Sequence, residues 1–355
     1  MKKLPFVFLC ALSISFACTF VSSTNAQFSR KNPYTVAYAK TKDSIVSIKT
    51  PATRYSAAKI VGTGVIIDER GIILTNRHVV GTNRQVPIIL SNKEVCTGHV
   101  LLSERNHDIA VLQIKTKTKL KSLTLAPVDD LMVCEEVMAI GHPYGYANTV
   151  TCGKISNLNQ KITMPTGESL TGLIMIDASI NPGNSGGPLL NINGELIGIN
   201  VAIRDGANGI AFAINADTIR KVLSEKLSAY KIAGVGHGIY CNERTLAATG
   251  DRQRAVVAGI YKKSPADRAG LQHGDHIIQV ANYKINNRFD LERRLWDKQP
   301  GQEVKMTVIR GEQQLQVTLT LDNLTQPYQS ASLTTTPLET TYQVVNNITP
   351  TQIQE

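Results

Sequence analysis

The chain is poor in several residue types, and each scarcity excludes a class of protein. Aromatic residues make up 5% of the 355 positions, with one tryptophan, which disfavours a base-stacking platform for single-stranded nucleic acid. Six cysteines are too few for a disulfide scaffold of this length. Glycine (26) and proline (14) are near average, which excludes collagen-like and low-complexity chains. Beyond the N-terminal segment, no stretch approaches the ~20 apolar residues of a membrane span.

What is present is typical of a folded protein. Apolar residues make up 42% of the chain, enough for packed cores, and charged residues make up 19%. At about 150 residues per domain, the length predicts two domains. The formal net charge is +10, which indicates a role in association or in attracting clients.

The N-terminus predicts export. Lys2 and Lys3 precede an apolar stretch from Leu4 to Val21, and the small residue Ala26 offers a cleavage site. We therefore expect a signal peptide over residues 1–26, a periplasmic or extracellular mature protein, and no stable membrane span in that mature chain. A retained N-terminal membrane anchor is the alternative.

Export raises the question of disulfides for the four cysteines outside the signal, Cys96, Cys134, Cys152 and Cys241. Cys134 and Cys152 flank the turn-like segment 141–145, and a hairpin centred there would place them opposite each other. We expect a possible disulfide between these two; the alternative is four buried thiols. Neither a metal-type spacing nor a cofactor motif accompanies them, so no metal and no cofactor is expected.

The pattern of the chain changes twice. Short β-like runs separated by turn residues extend from Ser44 to Asn215, typical of a sandwich or barrel pair. Residues 216–228 follow a helical period with Asn215 as N-cap. After a glycine-rich junction at 234–238, a second unit with strands and a helix at 288–297 continues to Leu321. From about 325 the composition predicts a disordered tail.

Three segments of the first unit carry residues suited to acyl transfer. They contain His78, Asp108 and the sequence Gly183-Asn-Ser185-Gly-Gly. A serine hydroxyl becomes a nucleophile when a neutral imidazole takes its proton, and a buried carboxylate fixes the tautomer of that imidazole. The neighbouring glycines permit a tight turn that aims the Gly183 and Ser185 N–H groups at one oxyanion.

As a set, these motifs resemble the HtrA (Deg/Do-like) family of exported serine proteases. The segments 73–80, 108–112 and 177–189 are similar to the histidine, aspartate and nucleophile motifs of that family, and 264–271 with Gly274-Asp275 resembles its PDZ signature. The resemblance implies a mainly β fold, a chymotrypsin-like double β-barrel followed by a PDZ-like β/α domain. It implies a protease domain over 36–230, a PDZ domain over 235–322 and a tail over 325–355.

The resemblance also implies roles. His78 is the general base, Asp108 its orienting partner and Ser185 the nucleophile, with the Gly183 and Ser185 amides as the oxyanion hole. The enzyme would be a serine endopeptidase that cleaves unfolded or misfolded proteins, with the single PDZ unit favouring a homotrimer. A non-proteolytic peptide-binding chaperone or scaffold on the same fold is the alternative.

The family fold further predicts two binding sites. Ser179, six residues before the nucleophile, would line the base of the substrate pocket, with Val201 and Ala202 at its edge, which favours small or medium aliphatic side chains. His237, Gly238 and Ile239 would form the loop that captures a peptide carboxylate; a glycine-rich linker is the alternative. Four alternating lysines between 115 and 121 read as a solvated edge, so no nucleic-acid partner is expected.

Overall fold

The computed structural model describes residues 30–49, 60–127, 131–142, 149–163, 167, 169–201, 209–244, 254–329 and 333–334. The predicted signal peptide, residues 1–26, lies outside this range. The chain divides into a unit of residues 1–32 and a main unit of residues 33–355, and every described helix and strand begins at or after Pro33.

Six strands near the start of the main unit close into a first barrel with the order β1-β2-β3-β6-β5-β4. The strands are rich in isoleucine, valine and leucine. Strands β1, β3 and β6 are buried along almost their whole length, because their side chains alternate between a cluster within this barrel and a cluster shared with the second barrel. In chain order the elements are α1 Pro33–Thr41, β1 Ile45–Lys49, β2 Ile60–Asp68, β3 Ile72–Asn76, α2 Arg77–Val80, β4 Gln85–Ile89, β5 Val95–Glu104 and β6 Ile109–Gln113.

The second barrel repeats this architecture with the strand order β10-β11-β12-β9-β8-β7. One buried cluster contains residues of both barrels, including Leu74 and Val111 of the first and Met138 and Ile199 of the second, so the two barrels share a core. Its strands are β7 Glu136–Gly141, β8 Thr149–Thr163, β9 Ser169–Ile176, β10 Pro188–Asn191, β11 Leu196–Val201 and β12 Ala211–Asn215.

Two helices lead out of the second barrel, α3 Ala216–Lys226 and α4 Ala229–Ala233. The predicted N-cap is confirmed: the Asn215 side chain accepts a hydrogen bond from the Asp217 N–H at 2.9 Å. The apolar side of α3, with Ile219, Val222 and Leu223, is buried in the shared core.

The last unit is a sheet with the order β14-β15-β16-β18-β19 and two short helices, and β14 and β19 are the two ends of this order. The charge of the fully buried Asp275 is balanced there by a bidentate contact from Arg310, at 2.7 and 2.8 Å. The elements are β13 Val235–Gly236, β14 Ile239–Arg244, β15 Arg254–Tyr261, α5 Pro265–Arg268, β16 His276–Val280, β17 Tyr283–Lys284, α6 Arg288–Arg293, β18 Glu303–Arg310, β19 Gln313–Thr320, β20 Asp322–Asn323 and β21 Leu333–Thr334.

Helix α6 of this last unit lies against the first barrel. Arg293 Nη1 donates to the carbonyl of Ile67 at 3.0 Å, and Arg70 Nη2 donates to the carbonyl of Arg293 at 2.7 Å. The single tryptophan, Trp296, donates its indole N–H to the carbonyl of Leu227 at 2.7 Å, and the Arg70 guanidinium lies over its ring. These contacts connect the last unit to the loop between β2 and β3 and to the C-terminal end of α3.

The predicted disulfide is not formed. Strands β7 and β8 do pair as a hairpin, but its register places Met138 opposite Cys152, and the Cys134 N–H bonds the carbonyl of Ile155. The hairpin is centred two residues later than the midpoint of the two cysteines, so the thiols do not face each other. Cys134 and Cys152 are exposed free thiols, and Cys96 and Cys241 are buried ones.

Of the predicted disordered tail over 325–355, the structure describes residues 325–329 and 333–334, which contact the preceding unit; the rest lies outside the described residues. Leu324 N–H donates to the carbonyl of Gly234, the Tyr328 ring stacks on Tyr261, and β21 pairs with β15. Within the residues that the structure describes, no helix combines the length and the apolar character needed to cross a membrane.

Candidate active site

His78 and Asp108 meet at the mouth of the first barrel. His78 lies on α2, directly after β3, and Asp108 lies in the turn before β6, and the pairing of β3 with β6 brings the two together. His78 Nδ1 and Asp108 Oδ2 are 2.7 Å apart, and Asp108 Oδ1 accepts the backbone N–H of His78 at 2.9 Å. Both carboxylate oxygens thus hold one histidine, which fixes the position and the tautomer of its ring.

The backbone around Asp108 supports this contact. Its φ of 55° is a left-handed conformation that non-glycine residues adopt at a cost. The carbonyl of Asp108 accepts N–H groups from Arg77 and from the Asn76 side chain, at 3.0 and 3.1 Å. The Asp108 side chain is 8% exposed and that of His78 is 36% exposed. The carboxylate is therefore shielded from water, while the imidazole is partly open to solvent.

Ser185 comes to the same place from the second barrel. Its carbonyl accepts the N–H of Thr63 on β2 at 2.8 Å, so the loop that carries Ser185 is bonded to the first barrel. A side chain at Gly186 would collide with the carbonyl of Thr63 and the hydroxyl of Thr75, next to the end of β3 that leads into His78. Ser185 is 4% exposed. The structure thus brings the loops of all three predicted triad residues together.

The loop of the predicted oxyanion donors, Gly183 and Ser185, has a support that the sequence did not predict. Thr63 Oγ1 donates to the carbonyl of Gly183 at 2.7 Å and accepts the backbone N–H of His142 at 3.1 Å. His142 Nδ1 lies 3.3 Å from the same hydroxyl. The Asn184 N–H bonds the carbonyl of Asn181, so the peptide between the two predicted oxyanion donors is held at both ends. A threonine in a β-strand carries no sequence signal for this role.

The His142 ring in this hydrogen-bond network is uncharged at neutral pH. Burial, with a smaller contribution from the charge of Lys93, lowers the pKa of His142 to about 4. Because the Thr63 hydroxyl donates its hydrogen to the Gly183 carbonyl, its oxygen can only accept from His142 Nδ1. The ring proton of neutral His142 therefore lies on Nδ1. The ring is then a fixed donor at neutral pH.

We predict that Thr63→Val lowers kcat about tenfold, because it removes the one bond from Thr63 to the Gly183 carbonyl while keeping the side-chain shape. The His142 Nδ1–H loses its acceptor, and the Gly183 carbonyl keeps only the longer bond from the His142 backbone N–H at 3.4 Å, which costs about 1–3 kcal/mol of stability. The measurement is steady-state cleavage of labelled casein together with urea unfolding. Thr41→Val is the control, since Thr41 is equally buried and its hydroxyl bonds the Ala37 carbonyl far from the triad; an equal fall in kcat for both variants would refute the role of Thr63.

The predicted substrate pocket is only partly described. Ser179 is exposed, and its carbonyl accepts the Thr151 hydroxyl at 2.9 Å. Val201, at the end of β11, has no exposed surface and packs in the shared core, so its place at a pocket edge stays a prediction. Ala202 lies outside the described residues.

The predicted carboxylate loop lies between β13 and β14, facing α6. Gly238 has a φ of 74°, and a side chain there would collide with Ser264. The Gly238 carbonyl accepts the Tyr261 N–H at 3.0 Å, while the Ile239 N–H points away from β15. A cavity of about 140 Å³ adjoins the loop; its lining includes His237, Arg288, Glu292 and Tyr328. Metal-binding clusters of three or more His, Cys, Asp or Glu are absent from the described part of the chain.

Comparisons with known proteins agree with this architecture. The family model of the trypsin-like peptidase domain matches residues 62–199, and that of the PDZ domain matches residues 215–321. Two closed barrels followed by a PDZ domain define a trypsin-like serine endopeptidase with a C-terminal PDZ domain.

Three relatives narrow this class. The chain is 32% identical over 356 residues to "Protease Do-like 1, chloroplastic" of Arabidopsis thaliana, covering 90% of this chain and 81% of that protein. It is 36% identical over 291 residues to "Periplasmic pH-dependent serine endoprotease DegQ" of Escherichia coli, covering 79% of this chain and 63% of that protein. The solved structure "HtrA-type protease AlgW with decapeptide" matches with a TM-score of 0.50 and 27% sequence identity. The match covers 83% of this chain and 99% of that chain. The chain belongs to the HtrA (Do-like) family of serine proteases.

Proposed function

We propose that the chain is an exported endopeptidase that cleaves unfolded or misfolded proteins with a triad of His78, Asp108 and Ser185. The observation that carries this proposal is the 2.7 Å contact between His78 Nδ1 and Asp108 Oδ2 beside the loop of Ser185. A histidine held in this way by a buried carboxylate has its other nitrogen available as a base.

The chemistry follows from this geometry. His78 Nε2 takes the Ser185 hydroxyl proton as Oγ attacks the peptide carbonyl, and the oxyanion of the tetrahedral intermediate is bound by the Gly183 and Ser185 N–H groups. The imidazolium, stabilised by Asp108, then gives the proton to the leaving amine, and an acyl-enzyme remains. Water repeats the sequence, with His78 again as base, and releases the second product and free Ser185.

The substrate pocket gives a preference. Ser179 places no acidic group at the predicted pocket base, so binding of a lysine or arginine side chain has no counter-charge there. Small or medium aliphatic residues are the proposed preference before the cut bond. Cleavage mainly after lysine or arginine, read by mass spectrometry of the fragments, would contradict it.

The PDZ domain is proposed to bind peptide C-termini. Strand β14 lies at one end of the sheet order, so an extended peptide has backbone groups to pair with, and the loop 237–239 lies at the start of that strand. The names of several relatives place them in the periplasm, and we propose the same compartment here, reached by a signal over 1–26. A protease domain over 36–230, a PDZ domain over 235–322 and a homotrimer are the proposed organisation.

The test is cleavage of unfolded casein by the full chain, by Ser185→Ala and by the control Ser103→Ala, an exposed serine on β5. We expect the wild type and the control to degrade casein and Ser185→Ala to bind it without cutting. Equal cleavage by Ser185→Ala would overturn the proposal. Binding by all three proteins with no cleavage by any would favour the non-proteolytic chaperone instead.

A further inference from the structure

The carboxylate loop of the PDZ domain contains a titratable side chain that hydrogen-bonds within the loop. His237 is 8% exposed, and its Nδ1 accepts the N–H of Ile239 at 3.1 Å. That N–H points away from β15, toward the side on which a peptide would add. In the free protein the imidazole therefore occupies a donor that a peptide carboxylate would use.

The other ring nitrogen of His237 faces a buried carboxylate. His237 Nε2 is 3.5 Å from Glu292 Oε2, and the same oxygen accepts the Ala229 N–H at 2.8 Å. Burial alone would raise the pKa of Glu292, but the His237 ring and the Ala229 N–H lower it below its usual range. Glu292 is thus an anion placed to stabilise a positive charge on His237.

Among the described side chains that line the cavity beside the loop, His237 is the only histidine, the residue type that ordinarily changes charge between pH 5 and 8. Desolvation raises the pKa of Tyr328 above its usual range. Arg288 lies 3.7 Å from Glu292 Oε1, and α5 contributes Asp267 and Arg268, of which Arg268 pairs with Asp322. The charged and titratable groups around the loop are Glu292 and Arg288 from α6, Tyr230 from α4, Tyr261 from β15, Tyr328 after β20, and Asp267 and Arg268 from α5.

We propose that the His237 side chain is part of the carboxylate site, and that binding a peptide C-terminus is coupled to uptake of one proton on His237 Nδ1, with Glu292 as the positioning residue. This rests on the proposed function of the PDZ domain. An approaching carboxylate meets the Nδ1 lone pair, which repels it. A proton on Nδ1 frees the Ile239 N–H for the ligand and converts the ring from an acceptor to a charged donor.

The coupling has a direction. Histidine ordinarily changes charge near pH 6.5, and a bound anion favours its charged form. Affinity for a free C-terminus therefore rises as the pH falls, and we expect about tenfold tighter binding at pH 5.5 than at pH 8. His237→Asn keeps a side-chain acceptor for the N–H two residues on but cannot take up the proton. Its affinity is expected to stay near the high-pH value of the parent at every pH.

The experiment uses the full chain carrying Ser185→Ala, so that peptides are bound and not cut. The probe is a fluorescein-labelled decapeptide whose last four residues have been selected from a random library, made as the free acid and as the C-terminal amide. Polarisation gives the Kd from pH 5.5 to 8, and calorimetry in two buffers of different ionisation enthalpy gives the proton uptake.

Variants separate a proton-linked role from a structural one. His237→Asn should lose both the pH dependence and the proton uptake, and Glu292→Gln should move the steep part of the profile to lower pH. His273→Asn, an exposed histidine of the same domain, should change neither.

The outcomes distinguish the two proposals. A free acid that binds more tightly than the amide, with uptake near one proton lost in His237→Asn, supports the inference. The same preference without pH dependence, or with a pH dependence kept in His237→Asn, overturns the inference and leaves peptide binding intact. Equal binding of acid and amide overturns carboxylate capture by the domain and the inference with it.

Discussion

Asp108→Asn is expected to lower kcat by about 10⁴-fold with little change in KM. In the structure Asp108 Oδ1 accepts the backbone N–H of His78, and Oδ2 contacts His78 Nδ1. In the variant the remaining oxygen keeps the backbone bond, and the amide NH₂ faces Nδ1. The NH₂ donates, so the ring proton moves to Nε2. In that tautomer His78 Nε2 carries a hydrogen and has no lone pair with which to accept the Ser185 proton.

The measurement is the rate of casein cleavage, with the far-UV spectrum and urea unfolding showing that the fold is kept. Asp43→Asn is the matched control, because Asp43 forms an exposed pair with Lys121 and should keep full activity. A fall of less than tenfold for Asp108→Asn would mean that the carboxylate does not set the tautomer.

Gly186→Ala is expected to reduce cleavage at least 100-fold and to destabilise the protein by about 3 kcal/mol. Gly186 has a φ of 79°, and an added Cβ would collide with the Thr63 carbonyl and the Thr75 hydroxyl and lie 3.1 Å from the Asn76 nitrogen. These neighbours are strand backbone and a buried hydroxyl, so the loop itself has to move, and Ser185 moves with it.

Gly172→Ala is the control that separates the steric collision of an added Cβ from the cost of the left-handed backbone conformation. Gly172 lies in the same barrel with a φ of 68°, and its added Cβ would meet only Thr218 Oγ1 at an ordinary 3.5 Å. This variant should show only the cost of the left-handed conformation, about 1 kcal/mol, with near-normal cleavage. If Gly186→Ala behaves like Gly172→Ala in activity and in unfolding, the close approach of the loop that carries Ser185 to the first barrel is not required.

The strands and helices that depend on local sequence patterns could be predicted from the sequence. The apolar runs of β1, β6 and β11 and the capped helix after Asn215 are local features, and the structure has them. The family resemblance added the pairing of barrels and the PDZ domain. The family motifs that contain His78, Asp108 and Ser185 predicted the three loops that the structure brings together.

What the sequence could not predict depends on register and on long-range contacts. The centre of the β7–β8 hairpin decides whether Cys134 faces Cys152, and a shift of two residues separates them. The Thr63 bridge joins positions 120 residues apart through one hydroxyl. The structure of the segment after Leu321 arises from pairing with β13 and β15, which a polar composition does not reveal.

The most direct test of the central claim is covalent labelling of the nucleophile. The full chain is incubated with a fluorophosphonate, from which an activated serine oxygen displaces fluoride, and the modified peptide is identified by mass spectrometry. The account predicts a single adduct on Ser185, formed slowly or not at all in Asp108→Asn and His78→Ala. An adduct on a different serine, or labelling of Ser185 at the same rate in both variants, would contradict it.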